Sequence, residues 1–119
     1  MADIAPTISQ MQGHNERRCH MVLWETLTSA NAAGTAVQMG GSTDRTVQII
    51  GTFDSATVVM QGSMDGTTWF TLTDPQGNAI SKTAAAGEAI TEITRYIRPS
   101  TSGGGASQDI DVYLFMVKS

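Results

Sequence analysis

Polar and apolar side chains alternate with a period of two over residues 45–50 (Arg-Thr-Val-Gln-Ile-Ile), the pattern of a strand with one face buried and the other wetted. The same reading places strands over 19–27, 35–39, 56–61, 67–73, 79–82, 91–98 and 109–118. Turn formers fill the gaps: TSANAAG (28–34), GGSTD (40–44), GTFDS (51–55) and DPQGN (74–78), where Pro75 presets φ and Gly77 supplies a positive φ. Residues 100–108, around Gly103-Gly104-Gly105, read as a flexible loop. Segment 83–93 reads two ways. Ile90, Ile93 and Ile97 have helical spacing and the alanines favour helix, but Gly87 interrupts them and Ile93–Arg98 fits a strand ended by Pro99. The strand is preferred from Thr91, with at most one helical turn before it. Residues 1–18 show no sustained period, and Pro6 and Gly13 interrupt them; they read as an N-terminal arm ahead of a domain spanning 19–119.

Short strands with turn chemistry between them, and gaps too short for crossover helices, predict an all-β chain. The expected architecture is an antiparallel β-sandwich, jelly-roll-like, with an extended N-terminal arm. Two strands depart from the half-buried pattern. In 109–118, Val112, Leu114 and Met116 share one face while Tyr113, Phe115 and Val117 share the other; in 19–27, Met21 and Leu23 oppose Val22 and Trp24. A sandwich strand ordinarily wets its outer face, so apolar side chains on both faces imply that something covers the outside: the arm, a loop or another subunit. A homo-oligomer is expected.

Composition sharpens this picture. The 119 residues suit one domain; 40% are hydrophobic and only 15% charged, too apolar for disorder and sparsely charged for a fully solvated monomer surface. A net charge of −4 argues against nucleic acid or an anionic membrane as partner. The single cysteine, Cys19, forms no disulfide within the chain, the first residues lack a signal-peptide pattern, and no apolar run approaches bilayer length. Synthesis in a cytoplasm is the expectation.

No set of residues points to catalysis. The two histidines, His14 and His20, flank Cys19, but spacing marks no further ligand, and a zinc site ordinarily takes four. Asp44, Asp54, Asp65 and Asp74 each fall in a turn cluster, where aspartate bonds its own backbone. Asp109 and Asp111 share a strand face and read as solvated edge charges. The triglycine lacks the lysine and the setting of a phosphate loop. The chain is therefore read as non-enzymatic, with no cofactor and no metal. Arg95 and Arg98, three apart in a strand, would point to opposite faces, where either could clamp a carboxylate of a neighbouring chain. Trp24 and Trp69 read as core packing, with sugar stacking or an interface as the alternative. Asp65-Gly66 is the strongest two-residue hairpin signal in the chain, and SMDGTTW (63–69) would close a hairpin and send Trp69 inward.

That turn resembles the S-x-DG-x-x-W turn of many β-sandwiches, discoidin-like carbohydrate-binding modules among them. More broadly, Gly51 to Val117 resembles a class of small bacteriophage virion proteins. The resemblance lies in VVMQGSMDGTTWFTL (58–72), RYIRP (95–99), the Gly-rich loop and DIDVYLFMV (109–117). It implies a head decoration (cement) protein, located on the capsid surface of the virion and made in the host cytoplasm. Such proteins sit at two-fold or three-fold lattice positions, which implies a dimer or a trimer, and lock neighbouring major capsid proteins together; they carry no active site. The residues expected to meet a partner are Trp24, Arg95, Arg98, Tyr113 and Phe115. The alternatives are a tail or fibre component and a carbohydrate-binding module. Removing residues 1–18 is expected to weaken attachment and leave the fold intact.

Overall fold

The computed structural model describes residues 4–12, 18–38 and 42–118. Ten strands form, and no helix occurs among the described residues: β1 (Thr7–Gln12), β2 (Arg18–Leu27), β3 (Val37–Gln38), β4 (Ser42–Thr52), β5 (Thr57–Ser63), β6 (Phe70–Thr71), β7 (Ser81–Lys82), β8 (Ala86–Ala89), β9 (Tyr96–Ser102) and β10 (Asp109–Lys118). One sheet has the order β1-β2-β10-β4-β8; the other runs β3-β9-β5-β6, with β7 also pairing β5. Every pairing between strands is antiparallel. With β1 set aside and β6 and β7 counted together, the remaining eight strands read 1-8-3-6 and 2-7-4-5 in chain order. This is the strand order of a jelly roll.

The period-two pattern decides which side chains meet between the sheets. Val22 and Trp24 of β2, Val47 and Ile49 of β4, and Val112, Leu114 and Met116 of β10 point inward and are almost wholly buried. Val58 and Met60 of β5, Ile97 of β9, and Leu72 and Ile80 beside β6 and β7 face them from the other sheet. Each fully buried aliphatic side chain contributes about 1.5–3 kcal/mol of transfer free energy, so this shared layer is the principal stabilising element. Arg45 shares the inward parity of Val47 and Ile49. It is 2% exposed. Its Nη1 and Nη2 donate to Thr94 Oγ1 and Thr94 O at 3.2 and 2.8 Å, and Thr94 Oγ1 donates to Tyr96 O at 2.7 Å. Burial lowers the Arg45 pKa from its ordinary value.

Two β-bulges bend the first sheet. Between the pairs Ile110–Leu27 and Val112–Trp24, β2 carries an extra residue, and Thr26 there takes a φ of 60°. Asp111 Oδ1 accepts the Thr26 N–H at 3.0 Å, which supplies the partner that the ladder no longer provides. A second extra residue lies in β4 opposite Phe115 and Val117, where Asp44 has a φ of 49°.

Several segments depart from expectation. Part of the predicted arm is built into the sandwich: Thr7–Gln12 pairs with β2, and Ile4 N donates to Ala33 O while Ile4 O accepts from Thr35 N. Ile4 packs against the core, so the N-terminal stretch ties the edge of one sheet to the strand-flanking segment of the other. No helical turn forms in 83–93; Ala86–Ala89 pairs with β4 instead. Pro99 does not end its strand. It lies inside β9, opposite Met60 of β5, and its carbonyl accepts from Gly34 N on the other side, beyond β3. A strand residue's N–H and C=O point the same way, so the missing donor falls on the side where β3 has already ended. The predicted strand 67–73 shrinks to Phe70–Thr71. The triglycine loop is tied down: Gly105 N donates to Asp54 O, and Ser107 N to Asp54 Oδ2, at 3.1 and 2.9 Å.

Candidate functional site

The outer face of the β1-β2-β10-β4-β8 sheet carries the residues that alternate with the core row. Register brings Phe115 opposite Met21, Tyr113 opposite Leu23 and Val117 opposite Cys19. Two adjacent strands therefore present Cys19, Met21, Leu23, Tyr113, Phe115 and Val117 outward as one apolar patch. Phe115 is 37% exposed, the others half-buried. Polar residues flank it on β4, where Thr46 lies opposite Phe115 and Gln48 opposite Tyr113. The two-faced pattern of these strands thus persists in three dimensions.

Trp24 is not part of that surface. Its side chain is fully buried on the opposite face of β2, and Nε1 donates to Thr35 O at 3.0 Å. A side chain with no exposed area offers nothing to a partner, so Trp24 is a core residue. The packing around it is close: a Cβ placed on Gly34 would stand 2.5 Å from Trp24 Cδ1 and 2.8 Å from Pro99 Cδ.

The outer face of the second sheet is different in chemistry. Ile97 and Thr101 of β9 point inward, leaving Tyr96 and Arg98 outward. The Arg98 guanidinium lies 4.1 Å from the centroid of the Trp69 ring, and its Nε donates to Gln61 Oε1 at 2.9 Å. Trp69 therefore does not turn into the core as the hairpin reading expected; it is half-buried against β9. Arg95 precedes β9, and its guanidinium stacks on the Tyr96 ring at 5.4 Å. With its amide oxygen turned toward Arg95, Gln38 accepts from Nε and Nη2 at 3.1 and 3.2 Å. The two arginines, expected on opposite faces, come to one face because only Arg98 obeys strand parity. Neither forms an ion pair with a described residue.

Residues 63–69 overlie this face as a loop wider than a two-residue hairpin, since β5 and β6 pair only at Gln61–Thr71 and Gly62–Phe70. Ser63 and Asp65 hold it. Ser63 Oγ accepts from Asp65 N and Gly66 N, and Asp65 Oδ1 accepts from Thr67 N, Thr68 N and Ser63 Oγ. The backbone donors of Thr68 and Thr67, with Ser63 Oγ, hold the Asp65 carboxyl well below the usual carboxylate range. Gly66 has a φ of 82° at the tip. Met64 and Phe70 are exposed beside it, at 60% and 43%, and line a shallow depression with Asp65 and Thr68.

Asp74 and Asp54 also serve backbone. Asp74 Oδ1 accepts from Gln76 N and Asn78 N, both at 3.0 Å, and Asp54 sits at a φ of 47° in the turn closed by Ala56 N to Phe53 O. Partial burial pushes Glu92 up, but hydrogen bonds from Thr73 Oγ1 and Thr73 N outweigh it, and the net shift is downward. Of the residues considered for a metal, His14 lies outside the described residues. His20 belongs to the inner row of β2, opposite Met116, whereas Cys19 belongs to the outer row. No group of three or more His, Cys, Asp or Glu side chains converges on one point among the described residues.

No family model and no curated protein matches the chain. Among solved structures it is similar to the K1 cleaved adhesin domain of Lys-gingipain from Porphyromonas gingivalis W83, at 14% identity and a TM-score of 0.43, over 98% of this chain and 84% of that one. It is also similar to a carbohydrate-binding module (CBM6cm-2) of Cellvibrio mixtus lichenase 5A, solved with cellotriose. That likeness has 6% identity and a TM-score of 0.28, over 96% of this chain and 86% of that one. At such scores neither neighbour's binding passes to this chain, which is an all-β protein of two antiparallel sheets.

Proposed function

We propose that this chain is a bacteriophage capsid decoration protein, a non-catalytic module that binds the outer capsid surface and stabilises contacts between major capsid proteins. In this reading the apolar face of the β1-β2-β10-β4-β8 sheet is closed by a second copy of the chain, and the assembled oligomer sits on the shell. The observation that carries the proposal is the outward patch of Cys19, Met21, Leu23, Tyr113, Phe115 and Val117 on two neighbouring strands. An outer sheet face in permanent contact with water has no physical reason to alternate apolar with apolar. The resemblance of residues 58–72, 95–99 and 109–117 to virion proteins supplies the setting. The mechanism is additive: each copy buries interface, and a lattice of copies multiplies modest affinities into mechanical stability.

Cryo-electron microscopy of the native particle tests this. The expected map shows copies on the shell at symmetry positions, with Phe115 buried between chains. Density confined to a tail or fibre, or shell-bound copies with Phe115 facing solvent, would overturn the proposal. A tight glycan ligand for the purified chain, with no capsid attachment, would replace it with the carbohydrate-binding alternative.

A further inference from the structure

We infer that the outer face of the second sheet is a docking site for the carboxylates of an acidic protein surface, read by Arg95 and Arg98. The inference rests on the geometry of these two side chains and stands independently of the virion reading. In a chain of net charge −4, this face gathers two guanidinium groups on and beside one strand. Each is held by an aromatic ring, Trp69 under Arg98 and Tyr96 under Arg95, and each is steadied by a glutamine, Gln61 and Gln38. Stacking and the glutamine contacts remove much of the rotamer freedom that a free arginine would lose on binding, so the forks are preorganised.

Among the described residues, no carboxylate pairs with the donors that remain. Arg98 donates through Nε to Gln61 and keeps both terminal nitrogens for a bidentate acceptor. Asp65 lies in the loop whose Gly66 approaches the Tyr96 ring, and its Oδ1 is already occupied by Ser63, Thr67 and Thr68. Lys82, by contrast, pairs with Glu88 and is neutralised within the chain. A neutral sugar is the poorer fit, because stacking needs an open ring face and a guanidinium already covers one side of each ring. An acidic peptide surface matches the charge, the fork geometry and the exposure.

The test uses the full chain, labelled with nitrogen-15 and titrated with an acetylated, amidated octaglutamate peptide at low salt. Shifts are expected at Tyr96 to Ser100, at Gln61 and at the Trp69 indole, and they should fade as salt is raised. The R95Q/R98Q double variant should weaken binding tenfold or more. R95K/R98K should also weaken it severalfold, because an ammonium keeps the charge and loses the fork. K82Q should bind as the parent does. Circular dichroism melts confirm that each variant is folded, and a variant that fails this is replaced by the corresponding single substitution. The inference is overturned by absence of binding, by shifts centred elsewhere, by unchanged affinity in R95Q/R98Q, or by a response to cellohexaose that exceeds the response to octaglutamate.

Discussion

Asp65 is exposed, yet it is the residue on which the 63–69 loop depends. One carboxylate oxygen receives the Thr67 and Thr68 N–H groups, at 2.9 and 2.8 Å, in a segment without ladder partners. Its folded pKa lies below the ordinary value, so the bonded carboxylate contributes stability above the unfolded pKa of about 3.9 and loses it as pH falls through the folded pKa. Asp65→Asn keeps an oxygen acceptor without the charge. The stability gap between parent and variant, read from urea midpoints, is therefore expected to be constant from pH 7 to about 5 and to close below about pH 3.9. A gap independent of pH would show that the charge is idle. Gly34 makes a different residue-scale case. A methyl group there meets Trp24 and Pro99 at contact-forbidding distances, so Gly34→Ala should cost about 1–3 kcal/mol and shift the emission of the buried tryptophan. An unchanged midpoint in denaturant would show that the loop relaxes freely.

At the scale of elements, the N-terminal strand changes what truncation should do. β1 covers the edge of β2 along Thr7–Gln12, and Ile4 is bonded to residues 33–35. Deleting residues 1–12 exposes a free edge and part of the core, at a cost on the order of 2 kcal/mol or more. A lowered thermal midpoint is expected, where the sequence alone implied an intact fold; an unchanged midpoint would restore the dispensable arm. The alternation of 45–50 and the apolar-rich runs of 19–27, 56–61 and 109–118 made these strands legible, because their inward residues bury whole side chains. β1 and β8 were not. Thr7–Gln12 lacks an apolar alternation, and Ala86–Ala89 (Ala-Gly-Glu-Ala) has poor strand propensity; both are edges recruited by the ladder of a stronger neighbour. The 67–73 stretch misled in the opposite sense, since Trp69 found a guanidinium on the outer face in place of the core. Arg45 shares the row of Val47 and Ile49, but its burial was not legible, because a charge there reads as outward until its partner Thr94, distant in sequence, is known. The arginines were expected on opposite faces and come to one, because the strand begins at Tyr96, after Arg95.

At the scale of the whole molecule, the sandwich has two outer faces of unlike chemistry, apolar on one sheet and cationic-aromatic on the other. Under the two proposals above, it would join copies of itself through one side and meet an acidic partner through the other. The two roles of β10 can be separated by neighbouring substitutions. Leu114 is fully buried, so Leu114→Ala removes core volume and should cost about 2–5 kcal/mol while leaving the outer patch chemically intact. Phe115 is one residue along and faces outward at 37% exposure, so Phe115→Ser, combined with Leu23→Ser on the neighbouring strand, should change monomer stability little. The same pair should abolish self-association in sedimentation at micromolar concentration, and it should leave Cys19, at the end of the same patch, as reactive toward a thiol reagent in concentrated as in dilute solution. The parent is expected to show the converse: a larger species, and a Cys19 that is protected as that species forms. A parent chain that sediments only as monomer, with Cys19 equally reactive at every concentration, would show that this face is not closed by a second copy, and the apolar outward rows would then have to meet a different protein.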